Sequence, residues 1–584
     1  MLHQFYMRKV LSRFQHEFIP ALMSKYEKLL RYILRRKRPY ALLWALVGLF
    51  IVTIIITGIA KPKIVFFPSS DPNFIYAYIK MPVGTDIAKT DSITQIVEER
   101  VFSVVGNRNP AVESIISNVA VNASESTFEN KSSATNLGKV TVAFVEYAKR
   151  QGVNSSIYLE KIRDAVKGIP GVEITVAQNQ NGPPTGKPIN IEVSGEDIND
   201  LSLTAKEFTV FVNSLRIPGI EELKSDFDEG KPELIIDIDR ERANHEGIST
   251  GQIGMEIRNA VLGKEISKYR EGEDQYPIQL RYQENQRKNI DRILNLKITY
   301  RDMNTGLLRQ IPLSSVAKLK YENAYGGIKR KNLKRVITVS SNVLKDYNAN
   351  EIVMKITSEL PKFNKKEGIE INLTGEQEDQ KETMSFLSKA MLLAMFLIMF
   401  IMITQFNSIS KPIIIFSEVF FSIIGVLLGF IIFKMPISII MTGMGVVALA
   451  GIVVRNGILL VEFTDVLKEQ GMKTREAIIQ AGKTRITPVI LTASATILGL
   501  VPLAIGFNID FGSLFSSLQP HIHFGGDNVA FFGALAWTII FGLSFATFLT
   551  LLFIPSMYLI TYAMKVKLQR AKSNRKARQN RLKL

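Results

Sequence analysis

The 584-residue chain contains no cysteine, two tryptophans and five histidines. With no thiol it can form no disulfide and offers no thiolate ligand, which suits an oxidising compartment. Catalytic patterns are equally scarce. Neither a Ser-His-Asp arrangement nor a paired-carboxylate pattern can be read, so no catalytic residue and no enzymatic activity are expected. Ala477–Thr484 (AIIQAGKT) ends like a phosphate loop, but Ala477 stands where the first glycine is needed and no strand precedes it, which argues against nucleotide binding. His521 and His523 alternate as two ligands on one strand face would, yet no third ligand is evident and no metal site is expected. The net charge of +18 could suit nucleic acid, but no aromatic platform is interleaved with the basic residues, so no nucleic-acid partner is expected.

The basic residues cluster instead beside apolar runs. Residues 1–40 hold ten Lys/Arg and read as a cytoplasmic basic amphipathic helix; residues 565–584 hold nine and no acid. Both abut membrane segments and read as positive-inside anchors against lipid. Ala41–Ala60 is uncharged and long enough to cross a bilayer. Further spans are expected at Phe386–Gln405, Ile413–Phe433, Met435–Phe463, Pro488–Phe507 and from Val529 to Met564, with Pro555 a point where the last could kink. Six spans place both termini on the cytoplasmic side, residues 384–564 forming five of them, and residues 61–383 outside.

The external region alternates strand-like and helix-like segments. Asn73–Met81 (NFIYAYIKM) alternates as a strand, Asp86–Val105 has helical periodicity, and strand–helix–strand follows again through Lys139–Tyr147, Ser155–Lys167 and Val172–Ala177. Similar βαβ units are read in Ile189–Val193, Asp200–Leu215 and Leu234–Asp239, and in Val336–Val343, Asn350–Leu360 and Ile369–Leu373. The expected architecture is a membrane α-helical bundle of six transmembrane helices with a large α+β region of repeated ferredoxin-like βαβ subdomains. A strand-and-turn insert occupies residues 248–320. The polar loop Asn122–Gly138 carries one aromatic, Phe128, suited to presenting an apolar contact to substrate.

One arginine lies in the middle of an otherwise apolar span: Arg455, in Gly451–Glu462 (GIVVRNGILLVE). Holding a guanidinium at the bilayer centre costs about 2.5–3.5 kcal/mol on insertion scales. Ala448, Arg455 and Glu462 fall on nearly one line of the helix, with Gly451 and Ile458 beside them, so the stripe is expected to face protein rather than lipid. In the third span Glu418 lies about 10 Å from Lys411, and Arg455 about 12 Å from Phe463, at 1.5 Å per residue. The two charges therefore sit at similar depth, and Glu418 is expected to pair with Arg455.

Several stretches resemble the resistance–nodulation–division (RND) efflux permeases, in their C-terminal half. These are Phe66–Thr85, Gly375–Gln380 (GEQEDQ), Gly451–Phe463 and Ala477–Pro502 (AIIQAGKTRITPVILTASATILGLVP). By position Arg455 matches the family's intramembrane lysine, Asn456 the asparagine after it and Thr492 a threonine of the eleventh span. Asn122–Gly138 matches its substrate-gating loop, and the insert matches its docking subdomain. The resemblance implies proton-driven export of small amphiphilic or xenobiotic molecules with no bound cofactor. It also implies a multi-pass protein of a Gram-negative inner membrane, working as a trimer with a periplasmic adaptor and an outer-membrane channel. Arginine in place of lysine removes any titration of that side chain. The family's proton-carrying aspartates lie in an N-terminal half that this sequence does not contain and that another segment has to supply. An accessory of protein translocation and a non-functional fragment are the other readings. The several βαβ units and the docking-like insert disfavour the first of them.

Overall fold

The computed structural model describes residues 14–581 apart from 69, 107, 126–133, 151, 180–185, 229, 302–305, 326, 345–346 and 519–521. Six helices among the described residues are long and apolar enough to cross a membrane. In chain order they are Arg38–Ala60, Glu376–Phe406, Ser410–Ile432, Ile439–Glu469, Thr474–Ile505 and Asp527–Arg581. The fifth starts at Thr474 rather than at Pro488, which lies inside the helix. Its charged opening turns look like a loop on hydropathy, but they pack beneath the N-terminal helix Ile19–Ile33. There Tyr26 and Leu30 are buried, and a Cβ at Gly482 would come within 2.8 Å of the Tyr26 hydroxyl. Lys483 pairs with Glu27 at 2.7 Å. Packing and an ion pair therefore account for the glycine and lysine of the phosphate-loop-like stretch.

The third, fourth and sixth helices make the centre of the bundle. Gly425 and Gly429 lie one turn apart on the third, where a Cβ would fall 2.4 Å from Phe545 and 2.3 Å from Phe541 of the sixth. Such small residues let membrane helices approach closely enough for van der Waals contact to hold them. The first, second and fifth helices are mostly bare.

Two antiparallel sheets join the bundle in the same compact unit. The first uses Phe74–Lys80, Val112–Val119, Leu137–Phe144 and Glu173–Gln178, in the spatial order second, third, first, fourth. Ile75, Ala77 and Ile79 point inward onto helix Ile87–Val105, whose Val97, Val101 and Val105 recur every four residues. The second sheet repeats this order with Ile189–Gly195, Lys224–Ser225, Lys334–Ser341 and Glu370–Leu373, Lys329–Lys331 adding an edge to the third of these. The two βαβ units read from residues 189–239 and 336–373 are thus halves of one sheet. Leu234–Asp239 is not part of it.

That strand belongs to a second compact unit, residues 82–86 and 227–329. Within it Lys231–Ile238 pairs with Ala317–Ala324, and Lys264–Glu271 with Asp274–Leu280 as a hairpin exposed along its whole length. Its small core gathers Ile248, Ile253, Ile298 and Leu313.

Two of the contacts that tie the sheets to the bundle lie near the first sheet. Ile64–Val65 pairs in parallel with Ile437–Ser438 at the mouth of the fourth helix. Asn73 donates to Asp527 at 3.0 Å, at the start of the sixth. The same Asn73 side chain accepts from Arg150, a fully buried cation that also donates to the Val145 carbonyl at 2.7 Å and to Ser155 at 3.0 Å.

Candidate functional site

The fourth membrane helix begins at a serine cap: Ser438 Oγ accepts from the Met441 N–H at 3.2 Å and donates to the Phe66 carbonyl. From that anchored start the helix presents two unlike faces. On the inner face, a Cβ at Gly457 would lie 3.0 Å from both Ile415 and Ile554 and 3.1 Å from Glu418 Oε2. Glu418 is fully buried, and the Thr550 hydroxyl of the sixth helix donates to its Oε1. Its Oε2 has no hydrogen-bond partner among the described residues. Asn456, between Arg455 and Gly457 in sequence, is buried as well.

The outer face carries Ala448, Gly451, Arg455 and Glu462, all exposed. Around Gly451 a Cβ would meet nothing within 4 Å. The chain's own helices leave the stripe open. One expectation is corrected here: Arg455 does not pair with Glu418. The depth argument placed Glu418 within two residues of the Arg455 level, since it meets Gly457. At about 100° per residue, however, Gly457 lies about 200° around the helix from Arg455. Depth is a property of position along one helix, whereas direction depends on how its neighbours pack.

Thr492 of the fifth helix is also exposed, its hydroxyl turned back to the Val489 carbonyl at 3.1 Å. Two turns before it stands Arg485, which the sequence reading passed over. Its guanidinium sits 4.6 Å over the Phe463 ring of the fourth helix, and its Nε is buried without a hydrogen-bond partner among the described residues. The seven-residue spacing to Thr492 was the available signal. At the end of the bundle remote from the sheets, Lys411 pairs with Asp465 at 2.7 Å, and Asp465 accepts from the Tyr558 hydroxyl at 2.5 Å. Phe128 and His521 lie outside the described residues. His523 sits in a short hairpin, Phe507–Ile509 with Ile522–Phe524. Among the described residues no three His, Cys, Asp or Glu side chains group to hold a metal.

A six-helix bundle bearing two α/β sheets, with polar residues set into its membrane helices, defines a polytopic membrane permease. The model of the AcrB/AcrD/AcrF family matches residues 2–562, and the chain belongs to that family of RND permeases. It is similar to the cobalt-zinc-cadmium resistance protein CzcA of Cupriavidus metallidurans, 27% identical over 379 residues, 64% of this chain and 33% of that protein. The swarming motility protein SwrC of Bacillus subtilis is 26% identical over 366 residues, 63% of this chain and 32% of its own. Protein HelA of Legionella pneumophila is 24% identical over 529 residues, covering 86% and 46%. Among solved structures, a heavy metal efflux pump shares the fold with a TM-score of 0.71 at 19% identity, over 94% of this chain and 53% of that one. The chain thus spans a third to about half of the length of these relatives. The family match covers nearly the whole chain and does not itself argue for a missing half.

Proposed function

We propose that this chain supplies the C-terminal half of a proton-driven RND exporter in a plasma membrane, its sheets in the periplasm and both termini in the cytoplasm. The observation that carries the reading is the bare stripe Gly451–Arg455–Glu462. A guanidinium facing lipid at mid-bilayer is costly, so the stripe needs a protein surface against it. A second six-helix half, on the same or another polypeptide, meets that need if its acids face Arg455. Protonation of those acids then releases Arg455 and shifts the fourth and fifth helices, whose junction holds Arg485 over Phe463, with Thr492 exposed two turns on. Arg455 cannot itself carry the proton. Glu418, buried on the opposite face, and Asn456, buried beside Arg455 in sequence, act as positioning residues of the helix.

The outer face of the first sheet supports an amphiphilic substrate. Phe74, Tyr76 and Tyr78 stack there along one strand, 6.2 and 5.6 Å between ring centroids, with the Lys139 ammonium 5.9 Å from the Tyr76 ring. Burial holds the Lys139 pKa below its ordinary value. Aromatic rings beside a partly desolvated cation suit small amphiphiles, with Phe128 as a further contact. A metal cation is the second reading, favoured by relatives named for cobalt, zinc and cadmium. The two ferredoxin-like sheets form the porter, and trimeric assembly with a periplasmic adaptor and an outer-membrane channel completes the path.

The test is efflux of a fluorescent amphiphile from energised vesicles holding both halves. Arg455→Ala should abolish proton-coupled export at unchanged abundance. Export at the wild-type rate would overturn the coupling role. The chain has no native cysteine, so a single one at Gly451 should crosslink to the partner half.

A further inference from the structure

Beside the paired segments Ile64–Val65 and Ile437–Ser438 a cavity of about 280 Å³ opens between the chain leaving the first membrane helix, the mouth of the fourth, the end of the fifth and the start of the sixth. Its volume is near the lower end of small-molecule sites, about 300–1,000 Å³. Val65, Met435, Ala504 and Gly533 are among its apolar walls. Trp537 also lines it, its indole N–H donating to the Ala504 carbonyl at 3.0 Å and its ring stacked on Phe541 at 5.0 Å. The Ser438 hydroxyl is already used in the helix cap. The interior therefore favours an apolar ligand.

The rim differs. Lys63 is the one charged residue lining the cavity among the described residues, and its carbonyl is pinned by the Ile437 N–H at 2.9 Å. Its ammonium enters no ion pair among the described residues. Lys434, also exposed, precedes Met435. No acid lines the site. The cavity lies level with the ends of three membrane helices, the depth at which lipid headgroups sit.

We propose that this cavity binds one acyl chain of an anionic membrane phospholipid, whose headgroup phosphate is held by Lys63. The site is separate from the Arg455 stripe and does not depend on the export reading. An apolar interior recognises the chain, and an unpaired ammonium at headgroup level recognises the anion.

The chain offers its own probe. Of its two tryptophans, Trp44 is exposed on the first membrane helix, so Trp44→Phe leaves Trp537 as the sole fluorophore. The full chain in phosphatidylcholine nanodiscs is titrated with phosphatidylglycerol carrying brominated chains, or with equally brominated phosphatidylcholine. Brominated phosphatidylglycerol should quench Trp537 at about a fivefold lower mole fraction, the worth of one lysine at an anionic surface. Lys63→Gln should erase the preference and Lys63→Arg keep it. A Cβ at Gly533 has room, 3.5 Å from Val529, so Gly533→Leu should fill the cavity and weaken quenching by both lipids. Equal quenching by the two lipids in the parent, or a preference that survives Lys63→Gln, overturns the proposal. Quenching by brominated oleate without a response to brominated phosphatidylglycerol also overturns it, in favour of a free fatty acid.

Discussion

On the inner face of the fourth membrane helix a glycine, Gly457, admits a neighbouring carboxyl, and Thr550 satisfies one of that carboxyl's oxygens. On the outer face a second glycine, Gly451, meets nothing, and the cation one turn on, Arg455, is exposed. Two glycines six residues apart on one helix therefore do two different jobs. A polar group that the chain itself partners belongs to the architecture of the bundle. A polar group left open at membrane depth marks a surface built for something outside the chain, because lipid offers it no hydrogen bonds.

The sharpest way to break this contrast is to fill both kinds of glycine. Gly429→Leu would drive side-chain atoms into Phe541, 2.3 Å from where a Cβ would lie. Overpacking costs about 1–3 kcal/mol or more, so the folded fraction in detergent should fall severely. Gly451→Leu should melt within about 0.5 kcal/mol of the parent while blocking assembly with the partner half. Equal losses from the two would show that the outer face is packed as well.

A smaller effect tests the Glu418 correction. Thr550→Val removes the donor to a buried carboxylate oxygen and should cost about 1–3 kcal/mol in unfolding experiments. Paired with Glu418→Gln it should be non-additive. Glu418→Gln with Arg455→Ala should instead add within about 0.5 kcal/mol, as expected of residues that do not touch. Coupling between Glu418 and Arg455 would restore the pairing that the structure rejects.

The smallest effect lies at the N-terminal helix. The side chains of Lys483 and then Arg31 hold the Glu27 carboxyl below its ordinary value. A depressed carboxylate contributes stability that is present above the unfolded pKa, about 4.3, and lost as pH falls through the lower folded value. Amide-exchange protection of residues 19–33 should therefore be flat from pH 8 to about 5 and weaken below about 4. Glu27 is partly exposed and its partners Arg31 and Lys483 lie at the surface, so the change should be slight, and Glu27→Gln should remove it. Protection that instead weakens near pH 7 would put another group in control.

The membrane spans were legible because each is a long run with few or no charges. The first sheet was legible because Asn73–Met81 alternates strictly, with Ile75, Ala77 and Ile79 buried as the alternation requires. The second sheet was not. Its second strand is the two-residue Lys224–Ser225, too short to show a period, and its halves are separated by the insert. At the site, Arg455 announced itself by chemistry, a charge in an apolar run. Arg485 did not, because the charged opening of the fifth helix reads as a loop.

Local pattern thus carried the number of membrane helices, their order, and the residues whose burial in lipid would be costly, since hydropathy and periodicity are properties of neighbours in sequence. The direction in which each polar residue points was set elsewhere. At about 100° per residue, a one- or two-position difference turns a side chain from bundle to surface. Which side is bundle depends on Gly425, Gly429 and Gly457 meeting helices far along the chain. Those contacts turn Glu418 toward Thr550 and leave Arg455 facing out.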